Sequence, residues 1–308
     1  MISDNRGTPV PFAPAIPWSP LTTRPSLSWP NQQSLAVCVV VHVEHVEWVA
    51  PDLDAVPPSV VRRPPYPALL DPHEVSPHEY GNRVGFFRIC DMLDALCLEA
   101  AVAIDAASAL RYRPIVEKAR RNGWEFIAHG ISGSRLLAGA VPPDKECAMI
   151  RKTLASIEQR CGVRPNGWAG VEYSESPRTL DILAEEGLSY VMDWANDEQP
   201  YRAKTASGNI TVLPIALELD DVYSIHMRRI TTSGWAAMVK EAVNCLSQGD
   251  PARARLLVLN LHAWIAGQPF RIGHVREALS PLVDNPNVWV TSPGKVCAHY
   301  LGTRPENE

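Results

Sequence analysis

Two short stretches of the chain place ionisable side chains directly after apolar runs. Residues 39–48 read VVVHVEHVEW, and residues 124–130 read WEFIAHG. The carboxylate of Glu44 and the imidazoles of His42 and His129 can transfer protons or bind a metal ion. Apolar runs of this kind are typical of buried parallel strands, and α/β barrels carry their active sites at the C-terminal ends of such strands. These residues are therefore the first candidates for a reaction centre.

The spacing within the first stretch orients its side chains. His42 and Glu44 are two residues apart, so on a strand they point to the same face, whereas Val43 and His45 point to the other face. The pattern predicts that His42 and Glu44 enter the mouth of a barrel. A buried carboxylate beside an imidazole serves as a metal ligand, a general base or a structural ion pair, and the sequence leaves these three roles open.

Two more candidates follow later apolar runs. His262 ends the run LLVLNL at residues 256–261, where an imidazole is expected to act as a catalytic acid or base, or to orient one. Asp193 follows residues 190–192 and precedes Trp194. It is predicted either to act in catalysis or to cap the loop that follows.

Substrate-holding residues are predicted from charge and aromatic character. Arg83 lies at the start of a predicted helix, where its guanidinium either holds a polar substrate group or forms a structural ion pair. Arg164 is a candidate for binding a carboxylate, Trp168 for lining the pocket, and Glu218 belongs to a polar set with Asp220 and Asp221. The remaining histidines are expected at the surface or in loops: residues 73, 78, 226, 274 and 299.

Strands and helices are predicted to alternate along most of the chain, which indicates an α/β protein with a parallel sheet and outer helices. About seven strands favour a closed barrel of residues 34–302 over an open sheet. Proline is unevenly spread, and it predicts an irregular arm at residues 1–33 and a long loop at residues 50–78 near the mouth. The strands are expected at residues 35–43, 100–104, 125–128, 167–169, 190–192, 211–214 and 255–261, with a short last strand at 288–290.

Composition excludes several classes of protein. The net charge is −5, and the basic residues are scattered, so we expect no nucleic-acid partner. No apolar stretch reaches the roughly 18 residues of a membrane span, and the first residues lack the apolar core of a signal peptide. The protein is therefore expected in the cytoplasm, away from membranes.

Taken together, these motifs resemble the polysaccharide deacetylase superfamily, the NodB-like carbohydrate esterases. Within it, the chain is most similar to the branch with metal-independent allantoinase, cyclic imide hydrolase and peptidoglycan-deacetylase-like proteins. The resemblance covers roughly residues 29–302. It rests on WPN at 29–31, VEH at 43–45, YGNRVG at 80–85, GWE at 123–125, HG at 129–130, RPNGW at 164–168, DW at 193–194, LH at 261–262 and GQPFR at 267–271.

This resemblance implies a distorted, seven-stranded (β/α) barrel, often a homo-oligomer (dimer or tetramer), that hydrolyses an amide-type C–N bond. In metal-dependent members an aspartate and two histidines bind zinc or a similar ion, and Glu44 and His129 stand at two of these positions. The second histidine would be residue 133, which is glycine, although His42, at the position of the base, could supply a third ligand. The proline that usually follows the late histidine is Ala263 here.

Three functions follow from the sequence. The first is hydrolysis of a small linear or cyclic amide without a tightly bound metal. In it His42 or Glu44 activates water, His129 helps to place the water, His262 protonates the leaving nitrogen, and Arg83 and Trp168 hold the substrate. The second is metal-dependent N-deacetylation of a carbohydrate, with a divalent ion such as zinc. The third is a non-catalytic protein that binds its ligand in the barrel mouth.

Overall fold

The computed structural model describes residue 16 and residues 18–48, 72–137 and 141–303. Its centre is one sheet in which the strands run in the order β6-β7-β5-β4-β3-β2-β1-β8, with β9 also paired to β1. All pairs are parallel except the β6–β7 hairpin. The strands are β1 (Leu35–Val43), β2 (Ala101–Ile104), β3 (Glu125–Ala128), β4 (Gly167–Trp168), β5 (Tyr190–Val191), β6 (Tyr201–Thr205), β7 (Gly208–Val212), β8 (Arg255–His262) and β9 (Val288–Val290).

The predicted α/β class is confirmed, with more strands than the seven expected. The described residues form nine, because the β6–β7 hairpin adds a strand that the sequence pattern did not indicate, and the short β9 is present. The strand ladder does not close between β6 and β8. The segment just before β6 nevertheless reaches β8, where the backbone N–H of Leu256 donates to the carbonyl of Glu198 at 2.7 Å.

Ten α-helices occupy the described ranges, most of them packed outside the sheet. They are α1 (Pro72–Tyr80), α2 (Phe86–Ala95), α3 (Ala106–Arg111), α4 (Arg113–Arg121), α5 (Pro143–Cys161), α6 (Thr179–Glu185), α7 (Thr232–Ser247), α8 (Ala263–Ala266), α9 (Ile272–Leu279) and α10 (Pro293–Thr303). A π-helical turn, Gly81–Gly85, joins α1 to α2. None of these helices combines the length and the apolar character that a membrane crossing requires.

Strand β1 lies in the middle of the sheet and is buried along its whole length. Its alternate residues face two different layers. Val39 and Val41 pack on the face covered by the helices, whereas Cys38 and Val40 point to the opposite, interior face of the sheet. His42 continues the interior series, so the predicted two-residue alternation holds and carries this side chain towards the C-terminal edge.

Two proline-rich segments differ in how far the structure describes them. Residues 50–71 of the predicted loop lie outside the described residues, but residues 72–78 are helical, as part of α1. Helix α1 contains Pro77 and packs its buried Val75 against Val46. In the N-terminal segment, the indole N–H of Trp29 donates to the carbonyl of Arg255 at 2.6 Å. That segment therefore covers the end of β8 that lies opposite to the strand C-termini.

Candidate active site

A cavity of about 300 Å³ opens at the C-terminal edge of the sheet. This volume is at the lower end of the range for small-molecule sites. All five residues predicted to be catalytic border it: His42, Glu44, His129, Asp193 and His262. The lining also includes five apolar or aromatic side chains, here called the apolar wall: Val46, Leu217, Val222, Tyr223 and Trp264.

Glu44 and His129 come from neighbouring strands and meet at the cavity. The Oε1 atom of Glu44 lies 3.2 Å from Nε2 of His129, and its Oε2 atom lies 3.6 Å from Nδ1 of His78. Burial favours the neutral acid, but the hydrogen bond with His129 and the charges of the nearby imidazoles hold the pKa of Glu44 well below its usual range. Glu44 is therefore a carboxylate at physiological pH.

The backbone around Glu44 is held from two sides. The side-chain amide of Asn82 donates to the carbonyl oxygen of Glu44 at 2.7 Å. The next residue, His45, donates its backbone N–H to the buried carboxyl group of Asp105 at 2.6 Å. The asparagine of the YGNRVG motif thus holds the backbone at Glu44, in the VEH motif.

His129 is fixed by its other ring nitrogen. Its Nδ1 donates to the carbonyl of Ala169, on the loop after β4, at 2.6 Å. This contact leaves Nε2 as the nitrogen that faces Glu44. The following Gly130 has a φ of +75°, and an added Cβ would lie 3.1 Å from Val171. The glycine is thus required by a left-handed turn beside the neighbouring loop.

His42 lies between the other two imidazoles. Its ring stacks on that of His262, with centroids 4.4 Å apart and planes 20° apart, and meets the ring of His129 edge-on at 4.9 Å. Its Nε2 lies 3.0 Å from the side-chain oxygen of Asn260. Burial, together with the charges of His262 and His129, lowers the pKa of His42 well below its usual range, so this imidazole is neutral.

His262 is paired with Asp221, on the loop after β7. Its Nδ1 lies 2.7 Å from Oδ1 of Asp221, which also accepts the backbone N–H of His262. Burial opposes the imidazolium, but the charges of Asp221 and Asp220 raise the pKa of His262 to about 10. Burial raises the pKa of Asp221 to about 6, against the pull of His262. Near neutral pH the pair is therefore an imidazolium and a carboxylate, and Nε2 of His262 is left for the cavity.

Asp193 borders the cavity and is held by the loop after β4. Its Oδ1 accepts the backbone N–H of Gly170 at 2.6 Å. Burial and the neighbouring carboxyl group of Glu175 raise its pKa well above the usual range, and burial raises the pKa of Glu175 to about 7. Asp193 thus belongs to a pair of carboxyl groups that holds a proton, and it is not the partner of His262.

Four predicted substrate-holding residues lie away from the cavity lining. Arg83 is exposed and paired with Glu79 on the preceding turn. Arg164 precedes β4, at the opposite end of the sheet, and contacts the exposed Glu158. Trp168 is 1% exposed and packs in the helix-facing core. Glu218 is more exposed than buried and pairs with Arg228. None of the four lies in the cavity lining, where they were predicted to hold the substrate.

His78 and Tyr173 line the cavity without having been predicted. His78 and His226, expected at the surface or in loops, both contact the ring of Trp264, with centroids 4.5 and 5.0 Å away. The phenol of Tyr173 donates to Oδ2 of Asp220 at 2.5 Å. The sequence signal for this part of the site was the polar set after β7. Asp220 and Asp221 of that set bind Tyr173 and His262, whereas Glu218 is exposed and pairs with Arg228.

The glycines of the YGNRVG motif permit a close approach of two segments. A Cβ at Gly81 would lie 2.6 Å from the backbone N of Trp264, and a Cβ at Gly85 would lie 2.1 Å from the carbonyl oxygen of Ala263. Ala263 is itself buried at the start of α8. The segment after His262 is therefore tightly packed, although alanine stands where the resemblance leads one to expect proline.

A catalytic zinc ion normally has three protein ligands, and a glycine stands at the position where the resemblance leads one to expect the third. Beside Glu44 and His129, the expected third position is Gly133, where even a Cβ would lie 3.0 Å from that of Glu44. Among the described residues, the ligand atoms of Asp220, Asp221 and His262 lie within 4.8 Å of one another. Their atoms are already engaged in hydrogen bonds with each other, with Tyr173 and with the backbone N–H of Tyr223.

The fold is similar to that of several solved structures. The chain superposes on PuuE allantoinase with a TM-score of 0.80 at 21% identity, covering 92% of this chain and 96% of that one. It superposes on the probable polysaccharide deacetylase of Pseudomonas aeruginosa PAO1 with a TM-score of 0.79 at 20% identity, with the same coverage. A variant of a CE4 family pseudoenzyme from Bacillus anthracis gives 0.52 at 10% identity, covering 89% and 71%.

No family model matches the chain, and no curated protein matches it. The identities to the solved structures are too low to carry an activity across, but the length of the match is nearly complete in both directions for the first two. The chain therefore has the fold of the polysaccharide deacetylases and of PuuE allantoinase, which confirms, for the fold, the NodB-like resemblance drawn from its motifs.

Proposed function

We propose that the chain is a hydrolase that cleaves the C–N bond of a small linear or cyclic amide in this cavity, without a tightly bound metal. The observation that carries the proposal is that the Glu44 carboxyl group and the His262 imidazole, itself paired with Asp221, border one cavity. The pKa of Glu44 is lowered and that of His262 is raised to about 10. Two neighbouring titratable groups whose pKa values are shifted in opposite directions are typical of a catalytic acid and base.

Glu44 is the better candidate for the base. It is 9% exposed, whereas His42 is 1% exposed and its Nδ1 is buried without a partner among the described residues. A water molecule that attacks the amide carbon gives a proton to the Glu44 carboxylate, and His129 holds that carboxylate in place. His42 acts as a positioning residue, because its ring fixes the plane of His262 by stacking.

His262 is the candidate acid. Attack by water yields a tetrahedral intermediate, whose C–N bond breaks as Nε2 of His262 passes a proton to the leaving nitrogen. The products are a carboxylic acid and an amine, joined in one molecule when the substrate is cyclic. The proton on Glu44 then returns to His262 through water. Each positioned acid or base contributes roughly 10²- to 10⁴-fold in rate.

A substrate screen tests this proposal. The purified protein is incubated with cyclic imides, lactams, ureides and N-acetyl sugars, with and without a chelator, while ring opening and the release of ammonia, amine or acetate are followed. Turnover of a small amide that survives the chelator supports the proposal. Turnover restricted to N-acetyl sugars and abolished by the chelator contradicts it.

Metal-dependent N-deacetylation is the second candidate, and one observation favours it. Nε2 of His129 and Oε1 of Glu44 converge on the cavity at 3.2 Å, and these residues stand where metal-dependent relatives carry two ligands. The missing third ligand at Gly133 speaks against it. A chain that only binds its ligand, the third candidate, predicts that no amide in the screen is turned over.

A further inference from the structure

The cavity lining combines two kinds of side chain. One kind is the imidazoles and carboxyl groups described above, and the other is the apolar wall of Val46, Leu217, Val222, Tyr223 and Trp264. None of the described lining residues is lysine or arginine. A sugar, or a ureide with polar atoms around its whole ring, would leave several polar groups facing this wall without partners, which is unfavourable. An anionic substrate would meet the carboxyl groups of the lining, and the cation among the described lining residues, His262, is already paired with Asp221.

Trp264 is the most firmly placed residue of the wall. The rings of His78 and His226 contact its indole, with centroids 4.5 and 5.0 Å away. Gly81 closes on its backbone so tightly that a Cβ there would lie 2.6 Å from the Trp264 nitrogen. Two segments of the chain, one with His78 and Gly81 and the other with His226, therefore hold the Trp264 indole at the cavity.

The position of Trp264 in the chain relates it to the chemistry. It lies two residues after His262, on the first turn of α8, which follows β8 directly. Because His262 is the proposed donor to the leaving nitrogen, the part of the substrate next to that nitrogen is the part closest to this indole. A substituent on the carbon bonded to the nitrogen would pack on the wall.

We propose that Trp264 and the apolar wall select small uncharged amides that carry an apolar substituent next to the scissile nitrogen. This inference rests on the proposed function for its orientation, since it takes His262 as the side of the leaving nitrogen. It narrows the substrate class to amides that are polar at one end and apolar at the other.

Binding of a matched lactam series tests the inference without requiring turnover. The probes are pyrrolidin-2-one, its 5-isopropyl derivative, its 5-hydroxymethyl derivative and 5-oxopyrrolidine-2-carboxylate, which presents a carboxylate of nearly the same shape as the isopropyl group. Affinities are measured by calorimetry on Glu44→Gln, which keeps the shape of the site, and on the wild type. We expect the isopropyl compound to bind about tenfold or more tighter than the parent, and the other two to gain nothing.

Variants locate the effect. Trp264→Ala should abolish the preference for isopropyl, and Leu217→Ala, a smaller change on the same wall, should reduce it if the tryptophan variant fails to fold. Trp18→Ala, at an indole that is 89% exposed, is the matched control and should leave the preference intact. Equal binding of all four probes, tighter binding of the carboxylate, or a preference that survives Trp264→Ala would overturn the inference. Absence of wild-type turnover would instead count against the proposed function alone.

Discussion

His42 stacks on His262 with ring centroids 4.4 Å apart, yet the two imidazoles differ in charge. Burial and the neighbouring imidazoles lower the pKa of His42, whereas Asp221 and Asp220 overcome burial and raise the pKa of His262. A neutral ring against a cationic ring is an attractive arrangement, while two cations at this distance would repel each other. The stack therefore supports an imidazolium at His262 and keeps its proton available for transfer.

Replacing Asp221 by asparagine should move the alkaline limit of activity. The folded-state pKa of His262 is raised to about 10, so its acid form is present below that pH and is lost above it. Without the Asp221 charge this limb should move towards neutral pH, and kcat at pH 8 should fall about tenfold or more. The check is a pH profile of kcat. Asp197→Asn, which breaks an ion pair with Arg24 outside the cavity, is the control; equal shifts in both variants would contradict the assignment.

Replacing Glu44 by glutamine should reduce kcat by roughly 10²- to 10⁴-fold, because the amide cannot accept the proton of water. The matched control is Glu47→Gln, three residues along, where the carboxylate pairs with Arg135 at the mouth. That control should change kcat by less than about fivefold, since surface ion pairs contribute little. Steady-state kinetics measure kcat for both variants, and a comparable fall in kcat in the two would contradict the assignment of Glu44 as the general base.

The carboxyl pair of Asp193 and Glu175 makes a prediction about stability. The pKa of Glu175 is raised from 4.5 to about 7 in the folded state. A raised acid pKa means that the folded state binds the proton more tightly than the unfolded state, so stability falls as pH rises through this interval. Glu175→Gln removes this loss and should increase the free energy of unfolding by roughly 1–2 kcal/mol at pH 8, with little change at pH 4.5. Urea unfolding at both pH values measures the difference, with the exposed Glu185→Gln as control; a gain of equal size at pH 4.5 would refute this cause.

Chelation should leave the activity within about twofold, because Gly133 stands where a catalytic zinc site of this kind would have its third ligand. The measurement combines activity after dialysis against a chelator with elemental analysis of the untreated protein. A stoichiometric divalent ion, with activity lost on its removal and restored on its return, would favour the metal-dependent alternative. Glu44→Gln then serves as the control, since it should abolish retention of an ion held at this site.

The sequence predicted the part of the site that lies on strands. His42, Glu44, His129 and His262 each end an apolar run or follow it closely, and parallel pairing brings strand ends to one edge. Periodicity also placed His42 on the interior face, because a two-residue alternation leaves no other choice once Val41 packs outwards. The apolar run that becomes β1 therefore predicted both the strand and the face that its last side chains occupy.

Partners that come from loops could not be predicted in the same way. Asp221 and Glu218 stand in one polar set, and only the path of the chain after β7 decides which carboxylate reaches His262. His78 follows a proline-rich stretch that indicated a loop, but Pro77 is accommodated within a helix whose Val75 is buried. Trp168 belongs to a strand of only two residues and Arg164 precedes that strand. In so short a strand a shift of one residue changes the face that a side chain occupies.

The charge states of the stacked imidazoles are the central claim, and nitrogen-15 NMR of the histidine side chains tests it most directly. At pH 8 we expect both ring nitrogens of His262 to carry protons and one ring nitrogen of His42 to lack one, with the His262 signals assigned through Asp221→Asn. A neutral His262 at pH 8 in the wild-type protein, or a cationic His42 beside it, would contradict the account.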